Sequence, residues 1–229
     1  MQCQFPLPAS LPYTDFVATK TSREIEIKLR VKDQEGLVRR MGKIGAKPVK
    51  RRFEENTLYD TPHGLLRKAG RLLRLRIETS GGAKVHAVLT SKVPAPEALD
   101  HTGRRGSKSA SKHKEKLERE VDVRDPAKVD QLLRAIGLHP SFRYEKYRTR
   151  FKLGSLHLDL DEVPVGTFLE LEGKPQAIDR VAKAVGYSDR DYIRGTYWDL
   201  FDADRRRRGS KAKNMLFAHK NRRKRAGSA

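Results

Sequence analysis

The chain has 229 residues, with 50 lysines and arginines against 29 aspartates and glutamates, for a net charge of +21. That length suits one domain with extensions, and the charge favours an anionic partner: phosphate, nucleic acid or acidic lipid. The only cysteine, Cys3, excludes an internal disulfide and a cysteine metal site. A reducing, cytoplasmic setting is the expectation. The N-terminus shows no signal-peptide pattern, and no run approaches the roughly 18 apolar residues of a membrane span. The basic excess is uneven. Arg205 to the C-terminus holds 11 bases and no acid, and without them the balance is 39 against 29, or +10.

Residues 1–20, with Pro6, Pro8 and Pro12, read as a loose arm before a domain over 21–203. A strand is predicted at about 22–32, where Ile25, Ile27, Leu29 and Val31 alternate with Glu24, Glu26, Lys28 and Arg30. Asp33 is a plausible N-cap for a helix to about 45, with Leu37, Met41 and Ile44 on one face and Gly45 ending it. A second strand spans 51–59 and stops in the turn Tyr59-Asp60-Thr61-Pro62. In the third, 71–78, Leu73, Leu75 and Ile77 oppose Arg74, Arg76 and Glu78. Gly81-Gly82 reads as a hairpin turn into a fourth strand at 83–92, which sets Lys84, His86, Thr90 and Lys92 on one face.

Residues 94–114 read as a mobile basic loop, long for a compact domain. The fifth strand, 115–123, shows Lys116, Glu118, Glu120 and Asp122 on one face. Pro126 opens a helix to about 136 with Val129, Leu132, Leu133 and Ile136 as its apolar stripe. The sixth strand, 143–152, puts Lys146, Arg148, Arg150 and Lys152 together. In the seventh, Leu156, Leu158 and Leu160 alternate with His157, Asp159 and Asp161; in the eighth, Leu169 and Leu171 oppose Glu170 and Glu172. A helix at 175–185, an aromatic segment at 192–203 and a basic, disordered tail at 204–229 complete the chain.

Strand follows strand through short turns, so the sheet should be antiparallel, and the helices do not alternate regularly with strands as in a doubly wound fold. The charges sort by strand. Bases gather on the third, fourth and sixth, and acids on the first, fifth, seventh and eighth. Surface ion pairing explains salt bridges but not this sorting. Carboxylate clusters would repel a nucleic acid unless metals intervened. A closed eight-stranded antiparallel barrel of α+β class, with flanking helices, turns the charged faces into a lumen wide enough for one small ligand. A polyanion held by the bases, with Mg²⁺ or Mn²⁺ on the carboxylates bridging to its oxygens, fits that lumen. Ion-pair networks on a wet sheet and a nucleic-acid-binding sheet are the competing readings.

Several motifs resemble those of the CYTH family, the triphosphate tunnel metalloenzymes. They are Glu24-Ile25-Glu26-Ile27-Lys28, Tyr59-Asp60-Thr61-Pro62, Arg71-Leu72-Leu73-Arg74-Leu75-Arg76 and Leu89-Thr90-Ser91-Lys92, then the acids Glu118 and Glu120, the pair Lys146 and Arg148, Leu160-Asp161-Glu162-Val163, Phe168-Leu169-Glu170-Leu171-Glu172 and Thr196-Tyr197-Trp198-Asp199-Leu200. They run in the family's order over about 22–201. Two departures stand out: Lys92-Val93-Pro94 lacks a glycine common in the family, and Lys116 replaces an arginine. The resemblance implies an eight-stranded tunnel that binds a triphosphate and one or two divalent metals. The family includes class IV adenylyl cyclases, thiamine triphosphatases and inorganic triphosphatases. Gly137-Leu138-His139-Pro140-Ser141-Phe142 and Lys146-Tyr147-Arg148 look most like the cyclase branch.

The roles divide by charge. Glu24, Glu26, Glu170 and Glu172 are the expected metal ligands, with Asp161 as a fifth and Glu120 nearby. Lys28, Arg74, Arg76, Lys92, Lys146 and Arg148 should grip phosphate oxygens. Lys28, Glu120 and Tyr59 are the catalytic candidates, Lys28 more as a phosphate ligand than a base and Tyr59 with a structural role as the competing reading. The substrate is ATP, tripolyphosphate or thiamine triphosphate. Alternatives are a non-catalytic polyphosphate-binding module and a protein that contacts nucleic acid or polyphosphate through its basic tail. No membrane is expected to take part, and a homodimer is allowed for.

Overall fold

In a computed structural model, which describes residues 21–81, 86–95 and 112–218, eight antiparallel strands close into a barrel. In chain order they are β1 (Thr21–Val31), β2 (Lys47–Asp60), β3 (Leu72–Thr79), β4 (His86–Pro94), β5 (Lys114–Val123), β6 (His139–Leu153), β7 (Leu156–Val163) and β8 (Gly166–Glu172). The order around the barrel is β1-β5-β4-β3-β2-β6-β7-β8, and β8 pairs back onto β1. Five helices flank it: α1 (Gln34–Lys43), α2 (Leu65–Lys68), α3 (Pro126–Ala135), α4 (Pro175–Ala184) and α5 (Tyr197–Arg207). Most successive strands are neighbours; β6–β7 and β7–β8 are joined by two-residue turns and β2–β3 through α2. The two that are not, β1 to β2 and β5 to β6, are linked through α1 and α3.

Local chemistry explains the helix ends. The Asp33 carboxylate accepts the Gly36 N–H at 2.8 Å and caps α1; Asp125 does the same for α3 through Lys128 N–H at 3.1 Å. Gly45 and Gly137 follow α1 and α3 at φ +85°, a conformation that costs a side-chain-bearing residue but not glycine. Asp60 ends β2 by accepting the N–H groups of Thr61, Leu66 and Arg67, which closes the turn and caps α2.

Because the strands alternate, the largest apolar core lies outside the barrel. Ile27, Leu29, Leu158, Leu160, Leu169 and Leu171 from β1, β7 and β8 pack under α1 and α4. Each fully buried leucine stabilises that wall by ~1.5–3 kcal/mol. A second cluster joins Phe142, Phe168, Tyr197, Phe201 and Met215. A third, smaller one joins Tyr59, Leu75 and Leu133.

Three expectations need correction. In α3 the stripe is narrower than predicted: Leu133 is buried, whereas Leu132 and Ile136 are 66% and 73% exposed. Its apolar contact with the barrel runs along Val129 and Leu133, one turn apart. The tail does not leave the domain at residue 204. α5 runs to Arg207, where Arg205 and Arg206 pair with Asp202 and Arg207 and Arg208 pair with Asp204. Beyond it Met215 forms a parallel bridge to Tyr144 and is 1% exposed. β2 starts four residues earlier than predicted, and β6 as many, so both outreach their neighbours. The arm 1–20, Lys84, most of the loop 94–114 (residues 96–111) and the end of the tail (219–229) lie outside the described residues.

Candidate functional site

The lumen is a cavity of about 450 Å³. Alternation places even-numbered side chains of β1, β2, β3 and β6 inside, so nine lysines and arginines face seven carboxylates across it. Of the sequence-predicted residues, Glu24, Glu26, Lys28, Arg74, Arg76, Lys92, Glu120, Lys146, Arg148, Glu170 and Glu172 all line this one cavity.

The bases are held by the acids. Lys92 Nζ donates to Glu24 at 2.6 and 2.7 Å and lies 3.2 Å from Glu118. Lys114 Nζ donates to Glu26 at 2.6 Å, and Lys28 Nζ stands 2.8 Å from Glu170 and 4.4 Å above the Tyr197 ring. Arg148 is the hub: it pairs with Asp159 at 2.7 Å, with Asp161 at 2.5 Å and with Glu170. Arg74 donates to Thr90 at 3.3 Å, and Arg76 to Glu120 at 3.4 Å. The Thr90 hydroxyl also donates to Glu120 at 2.8 Å.

These pairs set the proton affinities. Burial alone would raise Glu26, but Lys114, then Lys28 and Lys92, hold it down at about 2. Glu170 likewise stays well below the usual carboxylate range against its burial, because of Lys28 and Arg148. Glu172 goes the other way: burial, followed by Glu24 and Glu118, pushes it up to about 7. Burial also raises Glu24, with Glu26 and Glu118 adding to the effect against Lys92. One stretch of the wall is therefore crowded with negative charge that the lysines only partly neutralise.

Two predicted residues are elsewhere. Asp161 shares the inward face of Asp159 but is fully buried beneath the lumen side chains, where it accepts Lys146 at 3.0 Å, the Arg148 guanidinium and the Tyr197 hydroxyl at 2.6 Å. It anchors three cavity side chains. Asp159, two residues earlier, lines the cavity instead. Tyr59 is on the outer face of β2, where its hydroxyl donates to Asp130 at 2.5 Å and burial, then that bond, raises its pKa. Proton transfer in the tunnel is out of its reach.

Three further residues in or against the cavity were given no role from the sequence. Lys114 is one residue outside the predicted start of the fifth strand, and the alternation of Lys116, Glu118 and Glu120 pointed to it. Glu54, fully buried, lies 3.3 Å from Lys146 and 3.9 Å from Arg148. The period-two pattern Arg52, Glu54, Asn56, Leu58 marked its face. Tyr197 comes from a helix, so no strand pattern could assign it.

Among the described residues no three His, Cys, Asp or Glu side chains converge as a ready metal cluster. The donors nonetheless fit a hard divalent ion. Glu24, Glu26, Glu170 and Glu172 offer carboxylate oxygens only, and Glu26 faces Glu172 across the β1–β8 pair as Lys28 faces Glu170. Burial and the neighbouring Glu24 raise Glu172, and a cation beside them would favour its charged form. No helix among the described residues is long and apolar enough to cross a membrane.

A family model described as the CYTH domain matches residues 22–197. A Methanocaldococcus jannaschii protein, provisionally named an adenylate cyclase, is 26% identical over 188 residues, which cover 77% of this chain and 97% of that one. Among solved structures, a Vibrio parahaemolyticus protein provisionally called an adenylate cyclase superposes with a TM-score of 0.64 at 18% identity, over 80% of this chain and 99% of its own. A Hippeastrum protein described as a provisional adenylyl cyclase with a dominant triphosphatase activity gives a TM-score of 0.53 at 19% identity, over 79% and 96%.

Proposed function

Because this chain belongs to the CYTH family, whose members are generally divalent-metal dependent, we propose that it is an enzyme that binds a triphosphate together with Mg²⁺ or Mn²⁺ in the tunnel and cleaves it there. The observation that carries this reading is the charge balance of the lumen. Among the described residues nine bases and seven carboxylates line the lumen, and the buried Glu54 and Asp161 lean on the same bases; such a near balance of both signs suits a polyanion that arrives with a divalent ion better than either partner alone.

Glu24, Glu26, Glu170 and Glu172 would hold the metal, which when bound neutralises phosphoryl charge and acidifies the nucleophile. The chain's own residues do the positioning. Lys28, Arg74, Arg76, Lys92, Lys146 and Arg148 exchange carboxylate partners for phosphate oxygens, as a loose phosphoryl transition state requires. Asp161 and Tyr197 keep Lys146 and Arg148 aimed inward. Glu120, held by Thr90 and Arg76, stands where it can orient a hydroxyl or a water. Most of these side chains are buried, and the low local dielectric strengthens their contacts.

The nucleophile separates two reactions: water gives hydrolysis, and the ribose 3′-hydroxyl of ATP gives cyclic AMP and pyrophosphate. Cyclase chemistry is the second reading, favoured by Leu58, Leu72 and Trp198, which give the tunnel an apolar section fit for a nucleoside. The deciding experiment incubates the protein with ATP, tripolyphosphate or thiamine triphosphate and Mg²⁺ or Mn²⁺, then separates the products. Cyclic AMP identifies a cyclase and orthophosphate a triphosphatase. No product from any of the three leaves a polyphosphate-binding module and overturns the enzyme reading. The double variant Glu24→Gln, Glu26→Gln should abolish turnover; wild-type, metal-dependent turnover in it would refute the site assignment.

A further inference from the structure

A second cationic cavity lies outside the tunnel, at the start of β6. It measures about 300 Å³ and is lined by Arg134, His139, Pro140, Phe142, Arg143 and Asn214. Three elements build it: the last turn of α3, the start of β6 and the segment that follows α5. The two linings share no residue: Arg143 points outward while Tyr144 lines the lumen, and the Phe142 ring packs edge-on against the tunnel residue Trp198 at 5.0 Å.

Its polar groups are donors. No acid lines it. Asp130, near its edge, already accepts the Tyr59 hydroxyl and Arg134 Nε at 2.7 Å, and leaves the two terminal nitrogens of Arg134 unbonded. Arg143 is exposed, and among the described residues no carboxylate lies within ion-pair distance of it. Asn214 Oδ1 accepts the Arg143 N–H at 2.9 Å, so the amide's remaining polar group is its NH₂. Lys211 and Lys213, both exposed, lead into Asn214. The half-buried Pro140 adds an apolar contact, and the buried Phe142 lies beneath it. The tunnel site has no use for any of these groups.

We propose that this cavity is a second phosphate site that takes a nucleotide, free or as part of a nucleic acid strand. The forked guanidinium groups of Arg134 and Arg143 suit the phosphate oxygens, and the half-buried Pro140 offers the nucleoside an apolar contact. The volume is at the lower end of small-ligand sites, about right for one nucleotide. The assignment is independent of the tunnel reaction, since none of these six residues lines the lumen.

The test measures binding of a fluorescent mant-AMP and of an end-labelled single-stranded RNA to the full chain, to Arg134→Gln/Arg143→Gln and to the single variant Arg143→Glu. Tripolyphosphate turnover and circular dichroism are followed in parallel. Affinity for at least one probe should fall tenfold or more in both variants, with fold and turnover unchanged. A loss for both probes means that the site reads the nucleotide wherever it comes from; a loss for RNA alone means that a strand is needed; a loss for mant-AMP alone means a free nucleotide. Removal of residues 219–229 should leave mant-AMP binding intact. The proposal is overturned if both variants bind both probes within twofold of wild type. It is also overturned if inorganic phosphate competes as well as AMP, because then the apolar contact contributes nothing. A protein with no turnover but arginine-dependent probe binding would refute the enzyme reading and leave this one standing.

Discussion

Asp161 and Asp159 show how two carboxylates on one strand face acquire different duties. Asp161 is fully buried and shared by Lys146, Arg148 and Tyr197; Asp159 reaches the cavity and pairs with Arg148 and Arg150. Removing one partner of a buried ionic network strands the others, at a cost of about 3–5 kcal/mol. Asp161→Asn should therefore lower the unfolding free energy by that order in a denaturant titration, whereas Tyr59→Phe should lose about 1 kcal/mol and keep full turnover. Glu172 makes a pH prediction. Its native pKa of about 7 lies above its unfolded value near 4.5. The native state thus binds the extra proton between those values, and the stability that this supplies is complete below 4.5 and lost as pH rises to 7. In metal-free buffer, melting temperature should fall across that window, and Glu172→Gln should flatten the slope. An unchanged slope in the variant would assign the titration to another group.

At the scale of elements, the segment after α5 behaves as an added edge strand. β6 outreaches β7: their pairing begins only at Tyr147. The edge left open at residues 143–145 is filled by Met215, whose N–H donates to Arg143 O at 2.9 Å and whose carbonyl accepts Glu145 N–H at 3.0 Å. Phe217 N–H then donates to the Glu145 carboxylate at 3.0 Å, and its ring lies 5.4 Å from that of Tyr147. Truncation after Phe217 should leave thermal unfolding unchanged, while Met215→Ala should cost about 2–5 kcal/mol, as for other core methionines. The α3 helix offers a matched contrast. Leu133→Ala should be costly on the same scale, and Leu132→Ser and Ile136→Ser should stay within about 0.5 kcal/mol of wild type.

At the scale of the whole molecule, the barrel is built inside out: apolar packing surrounds a charged interior. That interior is stable because acids and bases neutralise each other, so ligand binding is an exchange of partners and not the filling of an empty charged hole. A tripolyphosphate–Mg²⁺ complex at 100 times its dissociation constant should add about 2.7 kcal/mol to stability. Differential scanning calorimetry with and without the complex measures this. The same addition to Arg148→Gln should give a much smaller shift, since the hub that touches Asp159, Asp161 and Glu170 is gone.

Alternation along each strand, with charge sorted by sign, was enough to assign the barrel and eleven of its lining residues, because period-two patterning is a local property of an extended chain. The helix caps were equally local, set by Asp33, Asp125 and the glycines after α1 and α3. Partner choice was not local. Glu26 meets Lys114 from 88 positions away, and only barrel closure, which brings β5 beside β1, makes that pair. Depth was not local either. Asp161 and Asp159 look alike in sequence, yet one is buried beneath Tyr197 and the other faces the lumen. Leu132 and Leu133 are adjacent apolar residues that the angle of α3 on the barrel sends to opposite fates. The sequence by itself determined which side chains share a face; the tertiary structure alone decided which faces meet, because that depends on how distant strands close and how helices dock upon them.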